Sequence, residues 1–141
     1  MKFARIDLSQ TNYKLFDHAQ IVPDPPVAEL QQIYQQYCRY KQFSSVMPLF
    51  ASHFTSEPNS TIVYQDAGQI VAFSIMRQLD QHNMESVQFA WNYHNPELRL
   101  GIRSLEHECA LYKSLGYHYL YVGEAQHYKS QFDGYETLGT I

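Results

Sequence analysis

Apolar positions recur three or four residues apart in the first third of the chain, which is the period of one helix face. These positions are Leu30, Ile33, Tyr34, Tyr37 and Tyr40. The stretch Asp24-Pro25-Pro26 precedes them and supplies a cap and a rigid helix entry. The pattern therefore predicts an amphipathic helix over residues 27–41.

A second, shorter helix is predicted from Val46 to Phe54. Proline is tolerated in the first turn of a helix, so Pro48 fits this interpretation. Leu49, Phe50 and Phe54 would then share one face.

The period changes to that of strands in the middle of the chain. The runs "TIVYQ" and "QIVAFSIMRQ" are rich in β-branched and aromatic residues, and Asp66-Ala67-Gly68 joins them, which predicts a hairpin. In "MESVQFAWNY", residues 84–93, apolar side chains at alternate positions predict a third antiparallel strand. Its predicted apolar face consists of Val87, Phe89, Trp91 and Tyr93.

The last third alternates helices and strands. A helix is predicted from Ser104 to about Leu115, because Leu105, Cys109 and Tyr112 lie on one face. Gly116 ends this helix, and "YHYLYVG", residues 117–123, forms a strand. The segment "AQHYKSQFDGYETLGT" predicts a short helix, a turn at Asp133-Gly134 and a final strand.

The element order is helix, helix, three antiparallel strands, helix, strand, helix, strand. With 141 residues and 45% hydrophobic content, the chain is long enough for one core, so we expect a single domain over residues 1–141. The fold class is α+β: a mixed, mainly antiparallel sheet flanked by helices in an α/β sandwich. We expect residues 117–123 to run parallel to the strand at 84–93, with the intervening helix as the crossover.

This order resembles the acyltransferase fold of the GNAT superfamily, and most of all the catalytic half of the arginyl- and leucyl-tRNA-protein transferases. The matching stretches lie between about residues 28 and 136. They are "LQQIYQQY", "STIVYQDAGQIVAFSIM", "FAWNYHNPELRLGIRSLEHE", "LGYHYLYVG" and "HYKSQF". Those transferases carry a cysteine-rich segment before the catalytic half, and the sequence before residue 28 contains no cysteine.

The resemblance implies transfer of an acyl group from acyl-coenzyme A to an amine acceptor. The donor would lie between the strands at 84–93 and 117–123, and Tyr128 would protonate the departing thiolate. The residues expected to bind the donor are Trp91, Asn92, Tyr93, Arg99, Leu100, Gly101, Ile102, Arg103 and Ser104. The nearest-looking family implies an aminoacyl-tRNA donor instead. A non-catalytic binding or assembly module on the same fold is the third hypothesis.

The stretch "NPELRLGIRSLEHE", residues 95–108, has two interpretations. In the first, Gly101 lets a phosphate approach the free N–H groups of a helix N-terminus, and Arg99 and Arg103 add hydrogen bonds. In the second, Ser104 caps the helix, the glutamates at 106 and 108 complement its dipole, and the arginines pair with Glu97 and Glu106. The superfamily's phosphate loop reads Gln or Arg, two residues, Gly, one residue, Gly or Ala. Only Gly101 of that pattern is present here, and an arginine occupies the last position.

Charge and cysteine content narrow the function classes. Ten basic and fourteen acidic residues give a net charge of -4, which disfavours tRNA as a partner. Cys38 and Cys109 lie in predicted helices and the first residues show no apolar signal core, so we expect reduced thiols and a cytoplasmic protein. No apolar run approaches the ~20 residues of a membrane span. Neither a zinc-binding HExxH pair nor a CxxC is present, so no metal is expected.

Overall fold

The computed structural model describes residues 2–43 and 47–140, which form a seven-stranded sheet and three α-helices. The strands are β1 (Lys2–Asp7), β2 (Ala19–Ile21), β3 (Asn59–Asp66), β4 (Gln69–Gln78), β5 (Asn83–Trp91), β6 (Tyr119–Glu124) and β7 (Tyr135–Thr140). The helices are α1 (Val27–Lys41), α2 (Ala51–Thr55) and α3 (Leu100–Ser114). Short 3-10 turns span Leu8–Gln10, Pro96–Leu98 and His127–Gln131.

The strands are arranged across the sheet in the order β2-β3-β4-β5-β6-β1-β7. Strands β3, β4 and β5 form the predicted antiparallel meander, while β6 runs parallel to β5. Helix α3 makes the crossover between these two parallel strands, as the sequence predicts. The β3–β4 turn consists of Ala67 and Gly68, both at positive φ (52° and 80°), which suits a tight hairpin.

Two apolar cores lie on opposite faces of the sheet. Consecutive residues of β3 and β4 are therefore buried, since each face of these strands contributes to one core. One core packs α1 and α2 against the sheet and includes Leu30, Ile33, Phe54, Val63, Phe73 and Ile75. The other packs α3 against the opposite face and includes Ile6, Ile62, Tyr64, Met76, Leu105, Cys109, Tyr112 and Leu120. The helix–sheet–helix layers are those expected for the α+β class.

Strands β1 and β2 were not predicted from the sequence. Strand β1 lies between β6 and β7 and pairs antiparallel with both, with Ala4 and Ile6 buried. Its apolar face is short and includes an alanine, so the alternation is weak in the sequence. Strand β2 has three residues at the sheet edge, where it pairs with β3. Strands this short are defined by their neighbours rather than by a pattern of their own.

The predicted bounds of α1 agree with the structure, but those of α2 do not. Helix α2 begins at Ala51, and the predicted start, Val46, lies outside the described residues. Pro48 precedes the helix instead of lying in its first turn. Only Phe54 of the predicted apolar face is buried, while Phe50 is 60% exposed. The backbone N–H of Phe50, which precedes the helix, donates a hydrogen bond to Nδ1 of the His53 ring at 2.9 Å.

The entry to α1 also differs from the prediction. Pro26 is the N-cap residue, and no side chain makes a capping hydrogen bond there, so Asp24 is not the cap.

The predicted turn at Asp133-Gly134 is present, and the segment before it forms the 3-10 turn at His127–Gln131. Both cysteines are buried and unpaired.

Candidate functional site

Strands β5 and β6 separate soon after they pair, and the gap between them forms a cleft. Their parallel pairing covers only Asn83 with Tyr119, Met84 with Leu120 and Glu85 with Tyr121. The register of β5 against β4 then shifts, because Gln88 is paired with Ile75 and Ser86 with Met76, which leaves Val87 as an extra residue. Such a bulge bends its strand and turns it away from a neighbour. The resulting cleft has a volume of about 400 Å³.

The bulge also explains why the predicted face of β5 is broken. Val87 was expected to share an apolar face with Phe89, Trp91 and Tyr93, yet it is 42% exposed. Residues 86–89 instead form one wall of the cleft. Residues 122–124 of β6 form the facing wall. Among the described residues, no strand pairs with the β6-facing edge of β5 after Glu85.

Helix α3 contributes one stripe of residues to the cleft. Gly101, Ser104, Leu105 and Glu108 all line it, and their i, i+3, i+4, i+7 spacing puts them on one helix face. The helix begins at Leu100, four residues before the predicted start at Ser104. Its first turn therefore enters the edge of the cleft.

The structure does not support the interpretation in which Ser104 caps α3. Arg99 is the N-cap residue, in the left-handed conformation with φ 52° and ψ 48°, and no side chain caps the helix. Ser104 is buried within the helix, and its hydroxyl donates to the carbonyl of Gly101 at 3.4 Å. Glu106 and Glu108 lie beyond the first turn, so they do not complement the dipole there.

The residues predicted to bind an anion are divided between two sides of α3. Gly101 and Ser104 face the cleft, whereas Arg99, Ile102 and Arg103 line a separate depression beside Tyr13. Arg103 lies over the Phe16 ring, 4.7 Å from its centroid. Leu100 is buried in the core, at 1% exposure.

Of the two arginine–glutamate pairs in the second interpretation, one is present. The Nε atom of Arg103 lies 3.7 Å from a carboxylate oxygen of Glu106. Within residues 2–43 and 47–140, no ion pair joins Arg99 to Glu97.

Trp91, Asn92 and Tyr93 lie at the end of β5, beyond the part of the strand that lines the cleft. The N–H of Asn92 donates to the carbonyl of Val71 at 3.0 Å. Tyr93 has a positive φ of 61° and stacks on Tyr40, with ring centroids 3.6 Å apart. It also stacks on Tyr37, which lines the cleft, at 6.1 Å. Of these three residues, Tyr93 therefore borders the cleft, through its stacking on Tyr37.

Tyr128 lies in the 3-10 turn after β6 and lines the cleft. Its side chain is 44% exposed. Partial burial, followed by the nearby phenol of Tyr37 and carboxylate of Glu108, raises the pKa of Tyr128 to about 12. The phenol therefore keeps its proton at neutral pH.

Lys129 closes one end of the cleft. Its Nζ donates to the carbonyl of Val122 at 2.7 Å, one residue beyond the last β6 residue paired with β5. Burial lowers the pKa of Lys129, while the charges of Glu108 and Glu124 oppose this shift. The lysine connects the turn that carries Tyr128 to Val122 within β6.

Glu108 is a cleft residue that the sequence analysis did not assign to the site. It is 1% exposed, and one carboxylate oxygen accepts a hydrogen bond from Ser74 on β4 at 2.9 Å. Burial raises the pKa of Glu108 to about 7, while Ser74, Ser86 and Lys129 oppose that shift. One signal was visible in the sequence: the glutamate lies within the apolar stripe of Leu105, Cys109 and Tyr112.

None of the helices in residues 2–43 and 47–140 has the length and apolar character that a bilayer span requires. In the same residues, no group of three or more His, Cys, Asp or Glu side chains is arranged to hold a metal ion.

No protein-family model matches the sequence, and no curated protein shows significant similarity to it. Solved structures do match the fold. A putative acetyltransferase of the GNAT family from Novosphingobium aromaticivorans has a TM-score of 0.63 and 15% identity, over 97% of this chain and 59% of that one. The chain has the α+β fold of the GNAT acetyltransferases.

Two further similar structures carry a different name. The C-terminal domain of a putative lysylphosphatidylglycerol synthetase from Agrobacterium fabrum has a TM-score of 0.61 and 16% identity. L-PGS from Bacillus licheniformis has a TM-score of 0.63 and 15% identity. In both cases the match covers 88% of this chain and 46% of the other. The chain thus spans about half the length of the structures it matches.

Proposed function

We propose that the protein is an N-acyltransferase that moves an acyl group from acyl-coenzyme A to an amine within the β5–β6 cleft. The observation that carries this proposal is the early separation of two parallel strands next to the first turn of α3 and Tyr128. The GNAT fold of the chain agrees with it.

An extended thioester arm would lie along the β6-facing edge of β5, because β6 pairs with β5 only as far as Glu85 among the described residues. The backbone of Trp91, Asn92 and Tyr93 continues this edge toward the mouth of the cleft. Free N–H groups in the first turn of a helix bind phosphate, so the Leu100 to Ser104 segment would hold the pyrophosphate. The N–H groups of Ile102 and Arg103 already donate to the Arg99 carbonyl, so the contacts would come from the start of the segment, at Leu100 and Gly101. Gly101 suits this role because a Cβ added there would meet no atom within 4 Å, so the surface beside it is open.

The reaction is direct aminolysis. The amine nitrogen attacks the thioester carbonyl carbon, the C–S bond breaks, and the departing sulfur takes the phenolic proton of Tyr128. An alkyl thiol is more acidic than a phenol whose pKa is about 12, so this proton transfer is unfavourable by itself and is driven by the conversion of the thioester to the more stable amide. Overall, a thioester and an ammonium ion become an amide, a thiol and one proton, and solvent returns the proton to Tyr128.

One observation favours an aminoacyl-tRNA donor as the second candidate. Arg99 and Arg103 lie on the other side of α3, so the predicted phosphate cradle in the cleft has no arginine. A donor held through its acyl group would not need one. The sequence resemblance to arginyl- and leucyl-tRNA-protein transferases supports the same donor, and one similar structure is named a putative lysylphosphatidylglycerol synthetase. The net charge of -4 counts against tRNA.

Thermal-shift titration distinguishes the candidates, because a ligand that binds only the native state raises its melting temperature. The ligands are acetyl-coenzyme A, coenzyme A and bulk aminoacylated tRNA. We expect both coenzyme forms to stabilise the protein, by about 2.7 kcal/mol at a hundred times Kd. Stabilisation by aminoacylated tRNA alone would favour aminoacyl-tRNA as the donor. If none of the three shifts the melting temperature, the binding-module hypothesis is favoured and the enzyme proposal fails.

A further inference from the structure

The carboxylate of Glu108 lies in the floor of the cleft with one oxygen unpaired. Oε2 accepts from the Ser74 hydroxyl at 2.9 Å. Oε1 is buried and makes no hydrogen bond of good geometry among the described residues, although the Ser86 side chain is near enough to favour the charged carboxylate. A buried charged oxygen without a partner is destabilising, because it has lost its contact with water and gained no hydrogen bond in exchange. Gly101, Ser104 and Leu105 on the same helix face all line the cleft, so Glu108 faces the same space. The unpaired oxygen is therefore available to a ligand that donates a hydrogen bond.

The surroundings of Glu108 hold no ion-pair partner within the described part of the chain. The groups that interact electrostatically with it come from its own helix, from β3 and β5, and from the turn after β6. They are Tyr64, Ser86, Cys109, Tyr112, Tyr128 and Lys129. Only Lys129 among them is a cation, and its Nζ is bonded to the Val122 carbonyl. A carboxylate in this environment favours an incoming positive charge.

Glu108 and Tyr128 line the same cleft, but their pKa values differ widely. The pKa of Glu108 is raised to about 7 and that of Tyr128 to about 12, in both cases mainly by burial. Two groups whose pKa values are pushed apart in one site are suited to opposite proton-transfer roles. The group near 7 can accept a proton at neutral pH, and the group near 12 can donate one.

We propose that Glu108 binds the acceptor amine in its ammonium form and accepts a proton from it, directly or through one water molecule. This inference rests on the proposed function. In the step, one N–H bond breaks and one O–H bond forms on Glu108, which leaves a neutral amine with a free electron pair. That amine attacks the carbonyl carbon, and Glu108 later releases its proton to solvent.

Ser74 and Tyr64 act as positioning residues for this carboxylate. Both are fully buried, and their oxygens are 3.1 Å apart. Ser74 donates to Glu108, so the Tyr64 hydroxyl donates to Ser74. This chain of hydrogen bonds runs from β3 through β4 to α3 and fixes Oε2, which leaves Oε1 free for the amine.

The first test is the pH dependence of acetyl transfer from acetyl-coenzyme A to triglycine, lysine and spermidine between pH 5.5 and 9. We expect kcat/KM of the wild type to rise through an inflection near pH 7. Glu108→Gln should lower it by about a hundredfold and remove the inflection, without changing coenzyme A binding. Glu108→Asp should recover part of the rate. Glu106→Gln is the matched control, because Glu106 lies outside the cleft and should leave the profile unchanged.

The second test does not depend on the right acceptor. The carbon-13 signal of the Glu108 carboxyl, assigned by its loss in Glu108→Gln, reports its pKa directly. Methylammonium should lower that pKa by at least half a unit, whereas tetramethylammonium, which has no N–H, should have a smaller effect. Equal effects of the two cations, or an unchanged rate profile in Glu108→Gln, would overturn the role of Glu108. If the wild type binds no donor at all, it is the proposed function that fails.

Discussion

The hydroxyl of Ser74, in the centre of β4, donates a 2.9 Å hydrogen bond to Glu108 on α3. Both side chains are essentially inaccessible to solvent. A serine in the middle of a fully buried strand and a glutamate in the apolar stripe of a helix are each unfavourable in isolation. Together they form a polar contact between sheet and helix directly under the cleft.

Glu108 should make the stability of the protein depend on pH. Its pKa is about 7 in the folded chain against an ordinary value of 4.5, so the folded state binds the proton more tightly than the unfolded state. This contribution to stability is present below pH 4.5 and is lost as pH rises toward 7. The loss is about 3 kcal/mol, at ~1.4 kcal/mol for each pH unit. Urea denaturation at pH 5 and pH 8 measures it.

Glu108→Gln cannot ionise, so its unfolding free energy should change less between pH 5 and pH 8 than that of the wild type. At pH 8 the variant should be the more stable of the two. Glu106→Gln should follow the wild-type curve, since its carboxylate is at the surface of the same helix. Identical pH dependence in Glu108→Gln and wild type would contradict a raised pKa.

Gly101→Val should weaken coenzyme A binding at least tenfold while the protein stays folded. Gly101 lines the cleft, its φ is not positive, and an added Cβ meets no atom within 4 Å. The valine side chain therefore occupies space that the donor needs, and replacing a helical glycine does not reduce helix stability. Isothermal titration calorimetry gives the affinity, and thermal melting gives the stability.

Arg103→Ala is the control for that experiment. If Arg103 bound phosphate, as in the first interpretation of residues 95–108, its loss would cost the ~1.5 to 3 kcal/mol of a charged hydrogen bond. Because Arg103 lies over Phe16 on the other side of α3, we now expect less than about a threefold change in affinity. A tenfold loss in Arg103→Ala would show that the arginine reaches the donor after all.

The sequence predicted the parts of the fold that have a long and regular pattern. Helix α1 and the β3–β4–β5 meander follow directly from apolar spacing and a two-residue turn. Strand β1 was missed because its buried face has only Ala4 and Ile6 within six residues. Its place between β6 and β7 is decided by long-range pairing, which local propensity does not encode.

The candidate site was less predictable than the fold. The start of α3 was placed at Ser104 because serine is a favoured N-cap, whereas Arg99 in a left-handed conformation begins the helix. Residues 100–103 therefore lie in a helix instead of a loop, and Gly101 and Arg103, two positions apart, point in directions about 200° apart around it. In a loop, the two arginines could bind the same anion as Gly101, and a start at Ser104 would put Glu108 close enough to the N-terminus to complement the dipole, whereas it lies in the third turn.

Gly134→Ala should destabilise the protein by about 2–4 kcal/mol. Gly134 has a φ of 76°, and an added Cβ would lie 2.3 Å from the carbonyl oxygen of Asp7. The Asp7 N–H also donates to the Gly134 carbonyl at 2.8 Å, which holds the two backbones together. Gly139→Ala is the matched control, since a Cβ there meets no atom within 4 Å, and it should change stability by less than about 0.5 kcal/mol. Chemical denaturation of both variants is the measurement, and equal effects would contradict the close approach at Asp7.

Tyr128→Phe tests whether the phenol is the proton donor to the leaving group. The variant keeps the ring, so donor KM should stay within about threefold, while kcat with acetyl-coenzyme A should fall about a hundredfold. An acetyl thioester of an aromatic thiol should reduce this difference between variant and wild type, because its more acidic thiol leaves without a proton. Tyr40→Phe is the control: Tyr40 is 66% exposed and does not line the cleft, so its hydroxyl should not affect the rate with either donor. If Tyr128→Phe lowers kcat equally for both thioesters, the hydroxyl positions the donor instead of protonating the sulfur, and the acid in the proposed reaction must be another group.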